Sequence, residues 1–451
     1  MKLAWIVLTS IVSMAVPRLA LAADGAVERG PVELSLKHAV EVAISAEGNT
    51  NIRLSGESLK QAQSRAMQAR AALLPDLEGA FNDRSQTVNL AAEGLTSIKL
   101  PVTGFTFPSL VGPFTTEDAR LSVQQSVFDF ASIRRFQASK ASVSAATQEL
   151  DSTAENVAAQ VARAYLLAVR ADADVDTADA NITLSDAVLT QAENQKKAGT
   201  GTGIEVTRAK VQLANDRQHL LVAENARRSA HLELLRAMGV PLDTEVRLTD
   251  RLGYVPVDAV TLEEAKAQAL ESRPDLKAQR RREENARLSA SAVKMERLPS
   301  LAAFGDYGSS GIALDNSLPT RTYGISLKVP LFDGGRRDAR RTEAASQYRA
   351  EKVRTDDLKQ QIELDVRLAL DGLRSAEDQV KVAKEGLELS DNELTQARRR
   401  YEAGVANSLE VTDAQTRLER ARDNETQALY NYNVAGIDLA QAMGNMRRSI
   451  P

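Results

Sequence analysis

Two stretches of this chain, about 131–198 and about 335–403, contain no proline and carry one unbroken helical pattern. In the second, Ile362, Val366, Ala369, Leu373, Ala376, Val380, Ala383, Leu387, Ser390, Leu394, Ala397 and Tyr401 are spaced alternately four and three. In the first, the same spacing runs from Leu150 through Val157, Val161, Ala168 and Ala178 to Ser185, Leu189 and Ala192. A sustained heptad is the mark of a helix–helix seam. At 1.5 Å per residue each helix would run roughly 100 Å, longer than a globular core needs. The pattern demands a fibrous or tubular body.

The two stretches belong to two copies of one unit. Lys197-Ala198-Gly199 followed by Ile204-Glu205-Val206 returns as Glu402-Ala403-Gly404 followed by Leu409-Glu410-Val411. Ala237-Met238-Gly239 returns as Ala442-Met443-Gly444, Phe128-Asp129 as Phe332-Asp333, and Leu74-Pro75 as Leu298-Pro299. Ser35-Leu36 with Ala39 matches Thr261-Leu262 with Ala265. Ordered matches of this kind mark an internal repeat. Each copy divides into helix, two strands, very long helix, turn and helix. The first copy spans 23–240, 241–260 is the linker between copies, and the second copy spans 261–451.

All nine phenylalanines lie within 81–136 or 304–332. In the first of these segments Leu121, Val123 and Val127 alternate with Ser122, Gln124 and Ser126; in the second Tyr323, Ile325, Leu327 and Val329 alternate with Thr322, Gly324, Ser326 and Lys328. A period of two with one apolar face is the strand signature, and in a membrane barrel that face meets lipid. Pro75 and Pro299 stop the incoming helices and begin the partner strands. Segment 91–116, with Gly94, Pro101, Gly104, Pro108 and Pro113, reads as a long outer loop. Two hairpins give four strands, too few to close a barrel, so a dimer would supply eight and a trimer twelve.

Residues 1–22 read as a secretory leader: Lys2, an apolar run from Leu3 to Val16, and Ala20-Leu21-Ala22 as the cleavage signal. No later stretch approaches the roughly 20 apolar residues of a spanning helix, so any membrane span is β. The chain past the leader has 55 bases against 61 acids, which gives no support to a nucleic-acid partner. Cysteine is absent, excluding disulfides, thiolate metal sites and a lipidated cysteine. His38, His219 and His231 share no ligand spacing, and no phosphate-binding loop, serine-hydrolase elbow or zinc-protease motif occurs. The reading is of a non-enzyme with no catalytic residue, no metal and no cofactor.

With the paired Leu-Pro and Phe-Asp junctions and the paired Ala-Gly turns in place, the sequence resembles the TolC family of outer-membrane efflux proteins over about 35–444. The resemblance implies a mainly α chain with a membrane β-barrel: a homotrimer whose four strands per chain close a twelve-stranded barrel above a coiled-coil α-barrel tunnel. It implies partners in a periplasmic adaptor protein, an inner-membrane transporter and outer-membrane lipid. It also implies a passive duct for small molecules or, in the alternative, for protein secreted by a type I system. A periplasmic coiled-coil scaffold with a soluble β cap is the reading of another class.

Within the resemblance, Gly199, Thr200 and Gly201 in the first turn and Gly404, Val405 and Ala406 in the second are the expected adaptor-docking turns. Glu410 and Asp413 fall where the family places inward acids at the constriction, and three copies would stack two carboxylate rings. The first copy has Glu205 and Arg208 at these positions, and Arg208 is expected to pair with Glu410 or Asp413.

Overall fold

A computed structural model describes residues 32–97, 107–256, 260–403, 405–406 and 408–449. The leader, and Gly404 of the second turn, lie outside the described residues. From the N-terminus the elements are β1 (Val32–Leu34), α1 (Leu36–Ile44), α2 (Thr50–Ala71), β2 (Asp76–Val88), β3 (Val111–Phe128), α3 (Phe130–Lys197) and α4 (Gly203–Met238). The second half follows with β4 (Val246–Leu248), α5 (Leu262–Ser272), α6 (Pro274–Met295), β5 (Ser300–Gly311), β6 (Ser317–Lys328), α7 (Arg336–Glu402), α8 (Ser408–Ala442) and α9 (Met446–Ser449).

The long helices α3 and α7 have 68 and 67 residues, so each extends about 100 Å. Asp129 caps α3 by accepting from the Ala131 amide at 2.9 Å, and Asp333 accepts from the Arg337 amide at 3.1 Å at the start of α7. In each copy the aspartate of the repeated Phe-Asp pair thus accepts from an amide in the first turn of the long helix, where amides have no intrahelical partner. The heptad positions Val157, Val161, Ala168, Ile362, Val366 and Val380 are buried. Small seam residues let α3 lie closely along α4 and α6, and α7 lies along α8.

The incoming helix of each copy, expected as one element, is broken in two. In the second copy Pro274 opens α6 directly after α5. In the first, Asn49 caps α2 by accepting from the Asn51 amide at 2.8 Å. Each break is clamped by the far end of its own repeat. Gly239 ends α4 at φ +78°, where an added Cβ would sit 2.6 Å from the Gly48 carbonyl oxygen. Gly444, after α8, has φ +71° and its Cβ position lies 2.8 Å from Arg273. Only glycine meets both demands, a left-handed backbone and contact with another backbone.

Strands β2, β3, β5 and β6 form one antiparallel sheet in that order. Register sets Leu77 opposite Val123 and Leu121 opposite Tyr307, while Ala303 faces Ile325 and Leu301 faces Leu327. These residues share one apolar face with Phe81 and Tyr323; Leu301 and Ala303 on it are half-buried and the large side chains Leu77, Phe81, Leu121, Val123, Tyr307, Tyr323, Ile325 and Leu327 are exposed. The other face carries Glu78, Arg120, Ser122, Asp306 and Thr322. There Arg120 bonds to Asp118, to Asp306 and, at 3.2 Å, to Thr320, tying three strands together. The outer loop expected over 91–116 is shorter than that range. Strand β3 already starts at Val111 and takes in Pro113, because the partner Gln86–Val88 shifts register there and Pro113 has no amide to pair.

The described part of the linker, 241–256, is a belt on the helical body. Its strand β4 pairs in parallel with β1, and the Asp250 carboxylate accepts from Tyr165 Oη and the Leu36 amide, both at 2.8 Å. Tyr254 packs on Tyr432 with ring centroids 4.8 Å apart, and Asn433 donates to the Gly253 carbonyl at 3.0 Å. After Gly444, Met446 enters the same core as Tyr165, and Arg447 donates to Glu155 at 2.8 Å.

Candidate functional site: the turn end of the helical hairpins

The ends of α3 and α7 farthest from the sheet meet in one small core. Val188 and Ala192 of α3, Val206 and Ala209 of α4, Leu394, Ala397 and Tyr401 of α7, and Val411, Ala414 and Leu418 of α8 are all buried in it. Tyr401, 5% exposed, donates its hydroxyl hydrogen bond to Gln195 and so ties the α7 turn to the α3 turn. Burial, then the negative charge of Glu205, pushes the Tyr401 hydroxyl pKa above its ordinary value.

The two turns close differently. In the first, Gly199 adopts φ +76°, and the amides of Thr200 and Gly201 both donate to the Gln195 carbonyl at 3.0 Å. Glu205 then folds back and accepts from the Thr202 amide at 2.8 Å, the reciprocal arm of a capping box. In the second turn the Val405 amide donates to the Arg400 carbonyl at 3.0 Å, and Arg400 Nε lies 3.0 Å from Glu410 Oε1. Residues 199 and 200 are exposed, as is Val405; Gly201 and Ala406 are half-buried.

Within the chain the base beside Glu410 is Arg400, from the last turn of α7. Arg208 is exposed on α4, and Asp413 is exposed on α8 one turn beyond Glu410. Asp413 acts instead on Arg417, whose guanidinium is held by Glu393 at 2.7 Å. Arg400 escaped sequence reasoning because it lies next to, not on, the heptad seam, in the run Arg398-Arg399-Arg400 that reads as a favourable helix C-terminus.

About a dozen residues nearer the sheet, a polar node interrupts the apolar seam. Ser185 of α3 donates to Asp216 of α4, while Gln415 of α8 donates to Ser185 Oγ at 2.9 Å. Gln212 donates to the other Asp216 oxygen at 3.0 Å. Ser185, Asp216 and Gln415 are 1%, 5% and 1% exposed. The serine in the heptad sequence was the one signal of this node.

No helix among the described residues is long and apolar enough to cross a membrane, and no group of potential metal-ligating side chains is found among them. What the fold offers is an antiparallel sheet with an apolar outer face, continuous with helical hairpins about 100 Å long. That is the architecture of an outer-membrane exit duct, a barrel sector set on a tunnel sector.

Comparison with known proteins agrees. The family model described as outer membrane efflux protein matches residues 45–240 and 266–445. The chain belongs to the outer membrane efflux protein family. It is 24% identical over 408 residues to the pyoverdine export outer membrane protein OpmQ of Pseudomonas putida, covering 89% of this chain and 84% of that protein. It is 24% identical over 323 residues to the alkaline protease secretion protein AprF of Pseudomonas aeruginosa, covering 70% of this chain and 67% of that one. The fold matches the Campylobacter jejuni CmeC outer membrane channel with a TM-score of 0.78 at 16% identity, covering 91% of this chain and 85% of the other. The chain is thus an outer-membrane channel of the export class, built from two internal repeats.

Proposed function

We propose that three copies of this chain close one twelve-stranded barrel on one α-helical tunnel and conduct small molecules outward as a passive duct, without chemistry. The observation that carries the reading is the four-stranded sheet with β2 and β6 at its edges, neither paired on its outer side among the described residues. In hydrocarbon each unpaired backbone polar group costs several kcal/mol, so β2 of one copy has to pair with β6 of the next. Two copies would give a barrel of about eight strands, whose interior is filled by side chains. Three copies leave a lumen, lined by the Glu78–Arg120–Asp306 face.

The helices support the same closure. Within one chain α3 packs on α8. That leaves exposed apolar rows on the other two: Leu221, Val222 and Leu232 on α4, and Leu368, Val382 and Leu389 on α7. Around a ring, α4 of one copy meets α7 of the next, and burying both rows removes them from water.

The turn end then forms the periplasmic mouth. Gly199, Thr200, Gly201, Gly404, Val405 and Ala406 present the surface for a periplasmic adaptor, which in turn engages an inner-membrane transporter. Glu410 and Asp413 line the constriction beside Glu205 and Arg208. With Arg400 compensating Glu410, Asp413 dominates the charge there. The leader at 1–22 directs export, and Tyr323, Ile325 and Leu327 place the sheet in the outer membrane. The similarity to AprF favours protein secretion as a second reading.

The test is the native mass after extraction of the outer-membrane fraction in mild detergent, followed by current measurement in a planar bilayer. Three chains per particle and a cation-preferring current support the reading. A monomer or dimer released by salt wash alone would replace it with a periplasmic scaffold. Export of small dyes against export of a folded-in-medium reporter protein separates the two cargo classes.

A further inference from the structure

A basic band lies where the helices adjoin the sheet. Segments 62–71, 129–140, 286–297 and 333–346 are the ends of α2, α3, α6 and α7 next to the strands, and in them bases outnumber acids 12 to 5. The chain past the leader has the opposite balance, 55 bases against 61 acids. The four segments are far apart in the chain. They come to one level because the strands that follow or precede them join one sheet. Four of the five acids in the band are already engaged. Glu296 is shared by Arg135 and Arg340, Asp338 pairs with Arg297, Asp333 pairs with Arg337 at 3.5 Å, and Asp129 caps α3. Arg65, Arg70, Arg134, Lys140, Lys294 and Arg341 form no ion pair among the described residues. Arg134 donates to the neutral Gln137 at 2.8 Å, and Lys140 Nζ stands 4.6 Å from the centre of the Phe136 ring.

On α3 these bases stand on the side that continues the apolar face of the sheet. Register sets Phe128 opposite Leu301, which belongs to that face. The Phe128 ring meets Phe130 edge-on, with centroids 4.3 Å apart. Ile133 and Arg134 follow Phe130 on α3 at three and four residues, hence on the same side, and Lys140 lies one heptad beyond Ile133. Phe128, Phe130 and Ile133 are exposed, as are Leu331 and Phe332 before α7. Apolar rings followed at once by cations is the order of groups at a membrane–water interface, with rings at headgroup level and cations against phosphate. A second copy beside the first does not cover this row. Within the chain α3 already has α2 and α6 as neighbours at this level, and α6 has α3 and α7.

We propose that this band is a binding surface for anionic glycerophospholipid, of the phosphatidylglycerol class, in the leaflet that faces the helical body. The inference deepens the duct reading above and rests on it for the placement of the sheet in a bilayer. The phosphodiester carries one negative charge on two free oxygens, and it accepts from the fork of Arg134 or from the ammonium groups of Lys140 and Lys294. Its acyl chains cover Phe128, Phe130 and Leu331 in the same event. A zwitterionic headgroup brings its own ammonium, which repels the band and cancels most of the gain. An acidic glycan would satisfy the cations but leave the exposed rings in water, so the lipid is the occupant that answers both halves of the surface. Each base beside an anionic lipid surface is worth about fivefold in affinity.

The test needs no current to flow. Full-length protein in mild detergent is mixed in turn with phosphatidylglycerol, phosphatidylethanolamine and lipopolysaccharide, and the lipid retained per particle is counted by native mass spectrometry. The wild-type protein is expected to prefer phosphatidylglycerol over phosphatidylethanolamine by roughly tenfold or more at low salt, and less as salt is raised. The combined variant Arg134→Gln/Lys140→Gln/Lys294→Gln brings that preference close to one. Arg217→Gln, an exposed arginine in the half of α4 nearest the turns, leaves it unchanged. Should the combined variant fail to fold, Lys140→Gln and Lys294→Gln alone, both exposed and outside any ion pair, each lower the preference about two- to fivefold. Equal retention of the two phospholipids by the wild-type protein overturns the band, as does a combined variant that binds like wild type. A preference for lipopolysaccharide over phosphatidylglycerol also overturns it. A conducting trimer that retains both phospholipids equally leaves the duct and removes the band. A monomer without current that still prefers phosphatidylglycerol does the reverse.

Discussion

Arg400 Nε lies 3.0 Å from Glu410 Oε1, across the turn that reverses α7 into α8. In the other turn Gln195 stands where the repeat would put Arg400, and the ion pair across that hairpin is Lys210–Glu193, longer at 3.6 Å. A capping box between Thr202 and Glu205 closes that end as well. The consequence falls on the charge of the mouth: Glu410 arrives with a counterion on its own chain, and Asp413 does not share it.

Asp413→Asn is therefore expected to reduce the cation preference of the channel more than Glu410→Gln does. Arg400→Gln, by releasing Glu410, raises that preference. The reversal potential in a planar bilayer under a salt gradient measures all three, and equal effects of the two acid substitutions would contradict the argument. Because both side chains of the Arg400 pair are largely exposed, its loss should cost less than about 1 kcal/mol of stability.

Tyr401→Phe removes the hydrogen bond to Gln195 in a buried setting and is expected to cost about 1 kcal/mol. It also changes the alkaline behaviour. With its pKa raised in the folded chain, the Tyr401 hydroxyl lends its full stability to the turn end below a pH of about 10, and that contribution is lost as pH rises through the raised value. Thermal melting across alkaline buffers reads this, and the Phe variant should lack that component of the loss.

Gly239→Ala forces a side chain into a left-handed backbone with its Cβ against the Gly48 carbonyl oxygen. Backbone strain of this kind costs on the order of 1–3 kcal/mol before the clash is counted. A lowered melting temperature is expected. Ala substitution at Gly372, which has open space around it and no left-handed φ, should leave melting unchanged or raise it slightly.

Ile325 and Thr322 are three residues apart on β6 and occupy opposite faces. Ile325→Arg puts a charge on the apolar face, at a cost of about 2–4 kcal/mol if that site lies near the bilayer midplane. Thr322→Arg falls on the polar face with Asp306 and is tolerated. The yield of detergent-stable oligomer in the outer-membrane fraction distinguishes the two. Equal yields would mean that the face bearing Ile325 does not meet lipid.

The sequence by itself determined the elements that depend on near neighbours in the chain. The heptad seam ending at Tyr401, the Asp129 and Asp333 caps, the Pro75 and Pro299 junctions and the alternation of Tyr323, Ile325 and Leu327 are all periodic or local. Their physical causes, helix geometry, capping and the pleat, act within a few residues. Only the tertiary structure decided what depends on groups far apart in the chain. It split each incoming helix and pressed Gly239 and Gly444 against the breaks. It folded 241–256 onto Tyr165 and Tyr432. It set Arg400 beside Glu410, and it joined Ser185, Asp216 and Gln415 into one node. In each case the deciding term is whether a polar group or a backbone finds a partner once water is removed. Only the packing of distant segments supplies that partner.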